Sequence, residues 1–444
     1  MAEVLPFRAT CYNANIVPDL TQVVTQPYDK ITPQMQADYY QASPYNLVRV
    51  LLGRKEDGDN SHENVYTRSG AEFRKWVDEE IMTPEPLPAF FAYFQEYDVP
   101  GQPGKRVLRK GFIGLGRLED YDARVVHRHE QTLSGPKKDR LELLKATRAH
   151  FGQLFMLYSD PKGEIDRILD DISIKAPWKD LTDEYGVRHI VWRARREQEI
   201  TTLSSRMRDK PLIIADGHHR YETALAYRDL CREQGDEDRR AEFAMMTFVR
   251  QEDEGLLVLP THRLVQGLKG FSPGAFRKKA EALFEIEDFS LPADNPGAAL
   301  RERLSQSASQ RAVLAAVAES ASKAMLLRLR KDADLAKLLP DCPAQQRDLD
   351  VVILHRLVLD KLLGISPEAV VKQTNLRYVR EHDAGIEAVT QSEGQICFFL
   401  NPTPIEKVRE NALAGLPLPQ KSTDFYPKML SGLTTYWLDN PLGI

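Results

Sequence analysis

The sequence predicts an α/β or α+β fold with a mixed sheet, and three observations support this prediction. Short apolar runs typical of strands alternate irregularly with amphipathic stretches typical of helices. The chain of 444 residues is long enough for two or three domains, or for one large domain with insertions. Its composition, 42% hydrophobic and 28% charged, is ordinary for a globular protein.

The first 270 residues mix predicted strands, helices and turns. One predicted helix ends before the proline-rich stretch 83–88, because proline cannot continue a helix. Periodicity and turn residues predict, in order, a strand-like piece at 48–52, a helix at 62–80, a hairpin of 90–98 with 107–118, a helix at 137–150, a strand at 154–158, a helix at 162–172, a strand at 189–193, a helix at 197–208, a strand at 211–215, a helix at 220–233, and a hairpin of 243–249 with 256–259.

The composition changes near residue 271. From there to about residue 339 the sequence predicts an amphipathic helix, an alanine- and serine-rich stretch and a strand, with few candidate catalytic groups. After residue 347, helices and strands alternate, including a strand at 396–400. We therefore predict three regions: a main region at 1–270, a helper α/β subdomain at 271–345, and a C-terminal α/β region at 346–444 that completes the site.

The most informative segment lies between a predicted strand and a predicted helix, where Asp216, Gly217, His218, His219 and Arg220 follow one another. A strand that turns sharply into a helix directs the N–H groups of the first helical turn outward, and such a start binds phosphate readily. Gly217 allows a tight turn, and Arg220 can grip two phosphate oxygens. The segment therefore predicts a phosphate- or nucleotide-binding turn. The alternative is a buried turn in which Asp216 caps the helix.

This segment resembles the helix-entry motif of the ParB/sulfiredoxin superfamily. ParB-like domains, including nucleotide-dependent free serine kinases, often have Asp-Gly-His-His-Arg there, and in those kinases the segment cradles nucleotide phosphates. Sulfiredoxins have a nucleophilic cysteine where this chain has His218, which argues against sulfinic-acid reduction. The resemblance implies that region 1–270 is a phosphate-binding and catalytic region with a ParB/sulfiredoxin-like core.

The whole chain is similar to a family of bacterial and archaeal proteins of unknown function, the DUF1015 type. The matching pieces run from one end of the chain to the other, at residues 5–9, 26–29, 43–46, 129–137, 259–263 and 419–428. Gln26 departs from the family pattern, where a second proline is expected. This resemblance implies no particular activity.

Other polar residues are candidates for catalysis. Glu130, in the charged cluster 127–130, can act as a general base, and His219 can act as an acid or a base. Asp29 follows Pro27 in a turn. It is either a second choice of base or the cap of a helix that starts near residue 32.

Two further groups of residues are predicted to donate hydrogen bonds to a phosphate or nucleotide. His262 and Arg263 are predicted at a strand end, where functional loops collect in sheet proteins. Lys421, Ser422 and Thr423 form a compact set of donors suited to an anion. A basic loop with a Ser/Thr turn is the alternative interpretation of the second group.

The predicted cofactor is Mg²⁺ together with ATP, ADP or pyrophosphate, with Asp216 or Glu130 as the metal ligand. Adjacent His218 and His219 cannot easily share one metal on a helix, where partners lie three or four residues apart. The sequence also has no His-Glu-x-x-His motif. Both observations argue against a zinc hydrolase.

These features predict an enzyme, a nucleotide- or pyrophosphate-dependent phosphotransferase for a small hydroxylated metabolite. Free L-serine is the first substrate to consider, by resemblance to the serine kinases. The sequence has no Gly-x-x-x-x-Gly-Lys-Ser/Thr loop, which excludes an ordinary P-loop enzyme. Two alternatives stay open: a ParB-like nucleotide-gated DNA-binding protein, and a ParB-like nuclease or phosphodiesterase that uses His219.

The predicted partners are a nucleotide and a small-molecule substrate, in the cytoplasm. A net charge of −5 argues against a nucleic-acid partner. No apolar run approaches the twenty residues that cross a bilayer, and no signal peptide is visible. The four cysteines are far apart and form no Cys-x-x-Cys pair, which fits a reducing compartment.

Overall fold

The computed structural model of the chain describes residues 1–130, 135–235, 239–308, 313–318 and 322–443, with backbone alone at 135–136 and 313–315. Residues 131–134 of the family segment 129–137 therefore lie outside the described residues. Over the described ranges, no helix has the length and apolar character needed to cross a membrane.

The chain folds into two compact units. The first unit comprises residues 1–128, 132–257 and 427–444, and the second comprises residues 129–131 and 258–426. The three regions predicted from the sequence, 1–270, 271–345 and 346–444, stay a prediction.

Strands and helices are numbered in chain order. The strands are β1 (Val4–Leu5), β2 (Thr10–Tyr12), β3 (Met82–Pro84), β4 (Phe90–Asp98), β5 (Arg106–Arg117), β6 (Val126–Arg128), β7 (Ala149–His150), β8 (Leu154–Tyr158), β9 (Lys179–Thr182), β10 (Arg188–Ala194), β11 (Leu212–Asp216), β12 (Phe243–Arg250), β13 (Leu257–Leu259), β14 (His262–Val265), β15 (Phe284–Ser290), β16 (Val313–Val317), β17 (Lys323–Leu329), β18 (Leu376–Val379), β19 (Ile396–Leu400), β20 (Asp424–Tyr426) and β21 (Tyr436–Trp437). The helices are α1 (Pro33–Ala42), α2 (Val48–Leu51), α3 (Val65–Asp78), α4 (Gly135–Thr147), α5 (Glu164–Ser173), α6 (Glu197–Met207), α7 (His218–Glu233), α8 (Pro273–Ala280), α9 (Pro296–Gln306), α10 (Leu335–Leu338), α11 (Asp350–Ile353, continued by a π-helical segment Leu354–Leu362), α12 (Pro367–Lys372), α13 (His382–Thr390) and α14 (Ile405–Leu413).

The main sheet of the first unit is mixed, as predicted. Its strand order is β6-β11-β8-β12-β5-β4-β10-β9, and β1 also pairs with β5. The pairs β6–β11 and β8–β12 are parallel, whereas the other neighbours are antiparallel. The parallel register of β6 and β11 matches Arg128 with Ile214, so both strands end at the same edge of the sheet.

Helices α5, α6 and α7 cover one face of this sheet. In α5 the apolar residues Ile165, Ile168, Leu169 and Ile172 recur with helical spacing, and they pack against apolar side chains of β4, β5, β8 and β12. Burying each such side chain contributes roughly 1.5–3 kcal/mol. The other face of the sheet contains buried polar side chains, which bind the backbone of the C-terminal segment 427–430.

The second unit contains an antiparallel sheet with the order β15-β17-β16-β19-β14-β18. Its core includes apolar residues of α9 and α13 together with Leu264, Leu326 and Phe399 from the sheet. The strand predicted at 396–400 is confirmed.

Two predicted elements are wrong. Residues 48–51 form the helix α2 rather than a strand, since the Asn46 side chain accepts a hydrogen bond from the Val48 N–H at 3.0 Å and begins a helical turn. The predicted hairpin of 243–249 with 256–259 does not form. Both edges of β12 are already paired, with β5 and β8, so β13 pairs with β20 instead.

Three histidines lie in or beside the core of the second unit, His262 fully buried and His355 and His382 partly exposed. Burial lowers the pKa of His262 and of His355 well below the ordinary value, and lowers the pKa of His382 to about 4. The His262 and His382 rings are 4.3 Å apart. These imidazoles are therefore neutral at pH 7.

We predict that acid destabilises the second unit. Between about pH 6.5 and pH 4 the unfolded chain binds protons that the folded unit does not, so stability falls with pH by up to about 1.4 kcal/mol per pH unit for each histidine. The variant His382→Phe removes one such group and should flatten the slope, as measured by urea unfolding at pH 7, 6 and 5.

The parent chain is the reference for this comparison, because Asp253 changes the free energy of unfolding with pH in the direction opposite to that of the histidines. Burial raises the pKa of Asp253 to about 6, and both chains contain this carboxyl. Identical slopes for the parent and His382→Phe would contradict the prediction.

Candidate functional site

The segment that follows β11 forms the sharp turn expected from the sequence. Gly217 has φ of 96° and ψ of 26°, and it occupies the N-cap position of α7. A Cβ at this position would lie 3.0 Å from Nη2 of Arg220, which folds back over the glycine. The N-cap position thus belongs to Gly217 rather than to Asp216, and the choice between a binding turn and a buried structural turn stays a prediction. The helix begins with a hydrogen bond from the Tyr221 N–H to the Gly217 carbonyl, at 2.9 Å.

Two cations flank the carboxylate of Asp216. Nη2 of Arg220 lies 3.3 Å from Oδ2, and Nζ of Lys428 lies 3.7 Å from Oδ1. Both cationic side chains are largely buried, at 15% and 9% exposure, which reduces screening by water. The three groups sum to one positive charge, and the N-terminus of α7 adds its partial positive charge. These groups therefore give the turn a net positive charge, and binding of an anion there stays a prediction.

Buried polar side chains position Lys428. The Gln95 amide donates to the Lys428 carbonyl at 2.9 Å, and Arg109 donates to the Pro427 carbonyl at 2.6 Å. Two residues further on, the Leu430 carbonyl accepts from the Gln153 amide at 3.4 Å. The backbone of segment 427–430 is thus fixed on the sheet, and this brings Lys428 to Asp216.

A pocket lies beside the turn in the first unit. Its cavity volume is about 60 Å³, and it is partly open to solvent. Its polar lining consists of Tyr28, Arg140, His150, Arg220, Thr223 and Ser431. The remaining lining is mostly apolar, and burial lowers the pKa of His150 to about 4, so this ring is neutral at pH 7.

Asp29 is next in the chain after Tyr28, which lines the pocket. It is an exposed residue of the short 3₁₀ helix Tyr28–Lys30. Its charge helps to raise the pKa of Tyr28, whose main cause is burial. The alternative in which Asp29 caps the next helix is wrong. Thr32 is the N-cap of α1, and its hydroxyl accepts from the Met35 N–H at 3.2 Å.

Within the second unit, Arg263 is fully buried and organises the loop at 419–423. Its guanidinium donates to the Lys421 carbonyl at 3.0 Å and to Nε2 of His355 at 3.2 Å. Burial lowers the pKa of Arg263 to about 10, although Tyr378 and Glu130 act in the opposite direction. Glu130 is half-buried and thus lies within electrostatic reach of this guanidinium.

The hydroxyls of the C-terminal loop have intramolecular partners. Ser422 Oγ donates to the Pro419 carbonyl at 2.5 Å, and Thr423 Oγ1 lies 2.7 Å from Nε2 of the buried His129. Lys421 is exposed and has a left-handed backbone, with φ of 56°. Neither contact is that of a Ser/Thr turn, in which the hydroxyl binds the N–H two residues further on, and a role of the loop in anion binding stays a prediction.

His262 occupies the core rather than a loop. It begins β14 with no exposed surface, its Nδ1 accepts from the Leu400 N–H at 3.3 Å, and its ring packs 4.9 Å from that of Phe399. A ligand could reach this ring only after the core opened. Its assignment as a binding residue stays a prediction that these contacts do not favour.

The predicted residues therefore form two groups. Asp29 and the turn 216–220 belong to the first unit, whereas Glu130, His262, Arg263 and the loop 421–423 belong to the second. The predicted convergence of both groups on one pocket stays a prediction.

The predicted Mg²⁺ ligands can be tested against this geometry. Over residues 1–130, 135–235, 239–308, 313–318 and 322–443 no cluster of three His, Cys, Asp or Glu side chains could hold a metal ion. Asp216 does not fit as a ligand, because each carboxylate oxygen already faces a cation. Glu130 as a ligand stays a prediction.

Sequence reasoning missed several polar residues of the first unit. Lys428 stands at the end of the family segment 419–428, which was a usable signal. Arg140, Gln153 and Gln95 stand in no recognisable motif, and their roles depend on tertiary contacts.

A known family accounts for most of the chain. A family model described as a protein of unknown function, DUF1015, matches residues 4–352. The chain belongs to this family. No curated protein matches the chain.

Several solved structures are similar to this chain at low identity. A free serine kinase variant in complex with ADP has a TM-score of 0.33 and 13% identity, covering 68% of this chain and 84% of that chain. A conserved hypothetical protein from Pyrococcus furiosus has a TM-score of 0.34 and 14% identity, with 71% and 93% coverage. SbnI from Staphylococcus aureus, truncated at its C-terminus, has a TM-score of 0.34 and 8% identity, with 72% and 85% coverage. These values are too low to transfer an activity.

We predict that Gly217→Ala displaces Arg220 from Asp216. The new methyl group meets the guanidinium, and a left-handed alanine adds strain of about 1–3 kcal/mol. Affinity for phosphate or nucleotide should fall at least tenfold, as measured by calorimetry.

Gly163→Ala is the matched control. Gly163 is also a left-handed N-cap, of α5, but a Cβ there meets nothing within 4 Å. The Gly163→Ala variant should be less stable in urea unfolding and keep the affinity of the parent for phosphate or nucleotide. Equal affinity of both variants would contradict the role of the turn.

Proposed function

We propose that the chain is a phosphotransferase, which moves a phosphoryl group between a nucleotide or pyrophosphate and a small hydroxylated metabolite. The observation that carries this proposal is the net positive turn of Asp216, Arg220 and Lys428 at the start of α7. Phosphoryl transfer requires cationic donors fixed around the phosphates before the reaction. The resemblance of the motif to that of free serine kinases makes L-serine the first acceptor to test.

The turn supplies the phosphate site of this proposal. The aligned peptide groups of α7 direct partial positive charge toward the N-terminus of this helix, where the turn lies. Arg220 and Lys428 add full charges at fixed positions, because the Gln153 carbonyl and the anchored segment 427–430 hold them. Donors fixed in this way need little reorganisation when charge shifts onto a bridging oxygen.

The base would accept the proton of the attacking hydroxyl. Glu130 is the first choice and Asp29 the second, since neither belongs to the phosphate turn. Mg²⁺ would accompany the nucleotide and neutralise its phosphates, and Glu130 would hold it if Asp29 is the base.

We predict that His219→Ala and Arg220→Ala each lose nucleotide binding while the fold persists. Both changes remove a donor from the first turn of α7, and far-UV circular dichroism should remain that of the parent. Binding of ATP, ADP and pyrophosphate is measured by calorimetry. Arg232→Ala, at the exposed far end of α7, should bind as the parent does. Parent affinity in both test variants would remove the turn from consideration.

We predict that replacing the base cuts turnover by about 10²–10⁴ with little loss of nucleotide affinity. The variants are Glu130→Gln and Asp29→Asn, with Asp38→Asn on the exposed face of α1 as control. Purified protein, Mg²⁺ and each donor are incubated with serine and a metabolite panel, and phosphorylated product is followed by mass spectrometry. Absence of product with every donor would refute the proposal. Tight sequence-selective DNA binding, or hydrolysed DNA, would favour a ParB-like clamp or nuclease.

A further inference from the structure

The pocket beside the turn has a charge pattern that the phosphate site does not explain. Its lining, drawn entirely from described residues, includes two arginines and neither aspartate nor glutamate. Arg140 comes from α4 and Arg220 from α7, and their side chains are 9% and 15% exposed. Two guanidinium groups that are largely withdrawn from water attract an anion more strongly than exposed groups do.

Both arginines act on the same tyrosine. The Arg140 guanidinium lies 4.2 Å from the centre of the Tyr28 ring. Burial is the main cause that raises the pKa of Tyr28, and the charges of Asp29 and Asp139 also raise it, whereas Arg220 and Arg140 lower it. Both guanidinium groups are therefore close to this phenol, although two carboxylates are near it as well. Tyr28 thus marks the end of the pocket where the two cations converge.

Each arginine is fixed in place by a backbone carbonyl. Arg140 donates to the Leu51 carbonyl at 2.7 Å, and Arg220 donates to the Gln153 carbonyl. Asp139 and Asp216 bind the same guanidinium groups but do not line the pocket. A guanidinium has five N–H donors in a rigid plane, so these contacts leave donors for a ligand.

The apolar walls select the kind of anion. Leu51, Leu143, Leu144 and Phe151 line the pocket next to the cationic end. A free phosphate would lose hydration against such walls, whereas a small organic acid would place its carbon atoms there. The planar carboxylate also matches the geometry of a guanidinium.

We propose that the pocket between Arg140 and Arg220 binds the carboxylate of a small organic acid, which is the acceptor of the phosphoryl group. The assignment of this acid as acceptor rests on the proposed function. The pocket and the phosphate turn share Arg220, so the acceptor would lie next to the phosphates. The substrate class is then a hydroxy acid or a hydroxylated amino acid.

The test compares L-serine with L-serinamide, which keeps the hydroxyl and the amine but has no carboxylate. Binding to the full-length chain is measured by calorimetry, with and without ADP, and inorganic phosphate serves as a third ligand. Because serinamide lacks the carboxylate and loses a charge-assisted hydrogen bond, its affinity should be at least tenfold lower than that of serine. Glycerate and lactate test whether other small carboxylates bind.

Arg140→Gln and Arg140→Lys are the test variants, and Lys145→Gln is the control on the exposed face of the same helix. Arg140→Gln should lower the affinity for serine at least tenfold and leave ADP and phosphate binding unchanged. Arg140→Lys should recover part of the affinity for serine. Thermal unfolding identifies a variant that fails to fold, and the serine–serinamide comparison in the parent needs no variant.

Equal affinity for serine and serinamide, or no binding of any small carboxylate with or without ADP, would overturn the inference. Two results together would overturn it in favour of a second phosphate site: phosphate competes with serine, and Arg140→Gln lowers the affinity for phosphate. These failures are distinct from failure of the proposed function, in which no donor would give a phosphorylated product.

Discussion

The candidate site depends on the contacts that the guanidinium of Arg220 makes. This guanidinium pairs with Asp216 at the end of β11, lies over Gly217, and donates to the Gln153 carbonyl just before β8. A strand end, a helix start and a neighbouring strand are thereby fixed around one planar cation. The same group forms one wall of the adjacent pocket. A lysine could supply the charge but not these simultaneous contacts.

The buried polar face of the main sheet supports this arrangement. Neighbours in β4 alternate between faces, so Phe94 packs in the helix-covered core while Gln95 reaches the opposite side. There Gln95 and Arg109 bind backbone carbonyls of the segment that ends the chain. Burying an arginine costs desolvation energy, and the cost is offset only where several acceptors are correctly placed. We infer that these buried polar groups position Lys428 more than they stabilise the fold.

Local patterns in the sequence predicted much of the fold. The hairpin of β4 and β5, the strands β8 and β19, and the unit β11–turn–α7 follow from apolar alternation, helical spacing and a glycine. The pairing of β13 could not be predicted, because it depends on which strand edges remain open. The same limit applies to the site: the turn was visible as a motif, whereas Arg140 and Tyr28 meet only through tertiary packing.

Nuclear magnetic resonance of chains labelled with ¹⁵N-histidine tests the anion-binding turn most directly. The amides of His218 and His219 lie in the first turn of α7, whereas His262 and His355 belong to the second unit. Titration with ADP and with inorganic phosphate should shift the two α7 amides in a saturable manner and leave the His262 and His355 amides unchanged. Saturable binding that leaves the His218 and His219 amides unmoved would contradict the account.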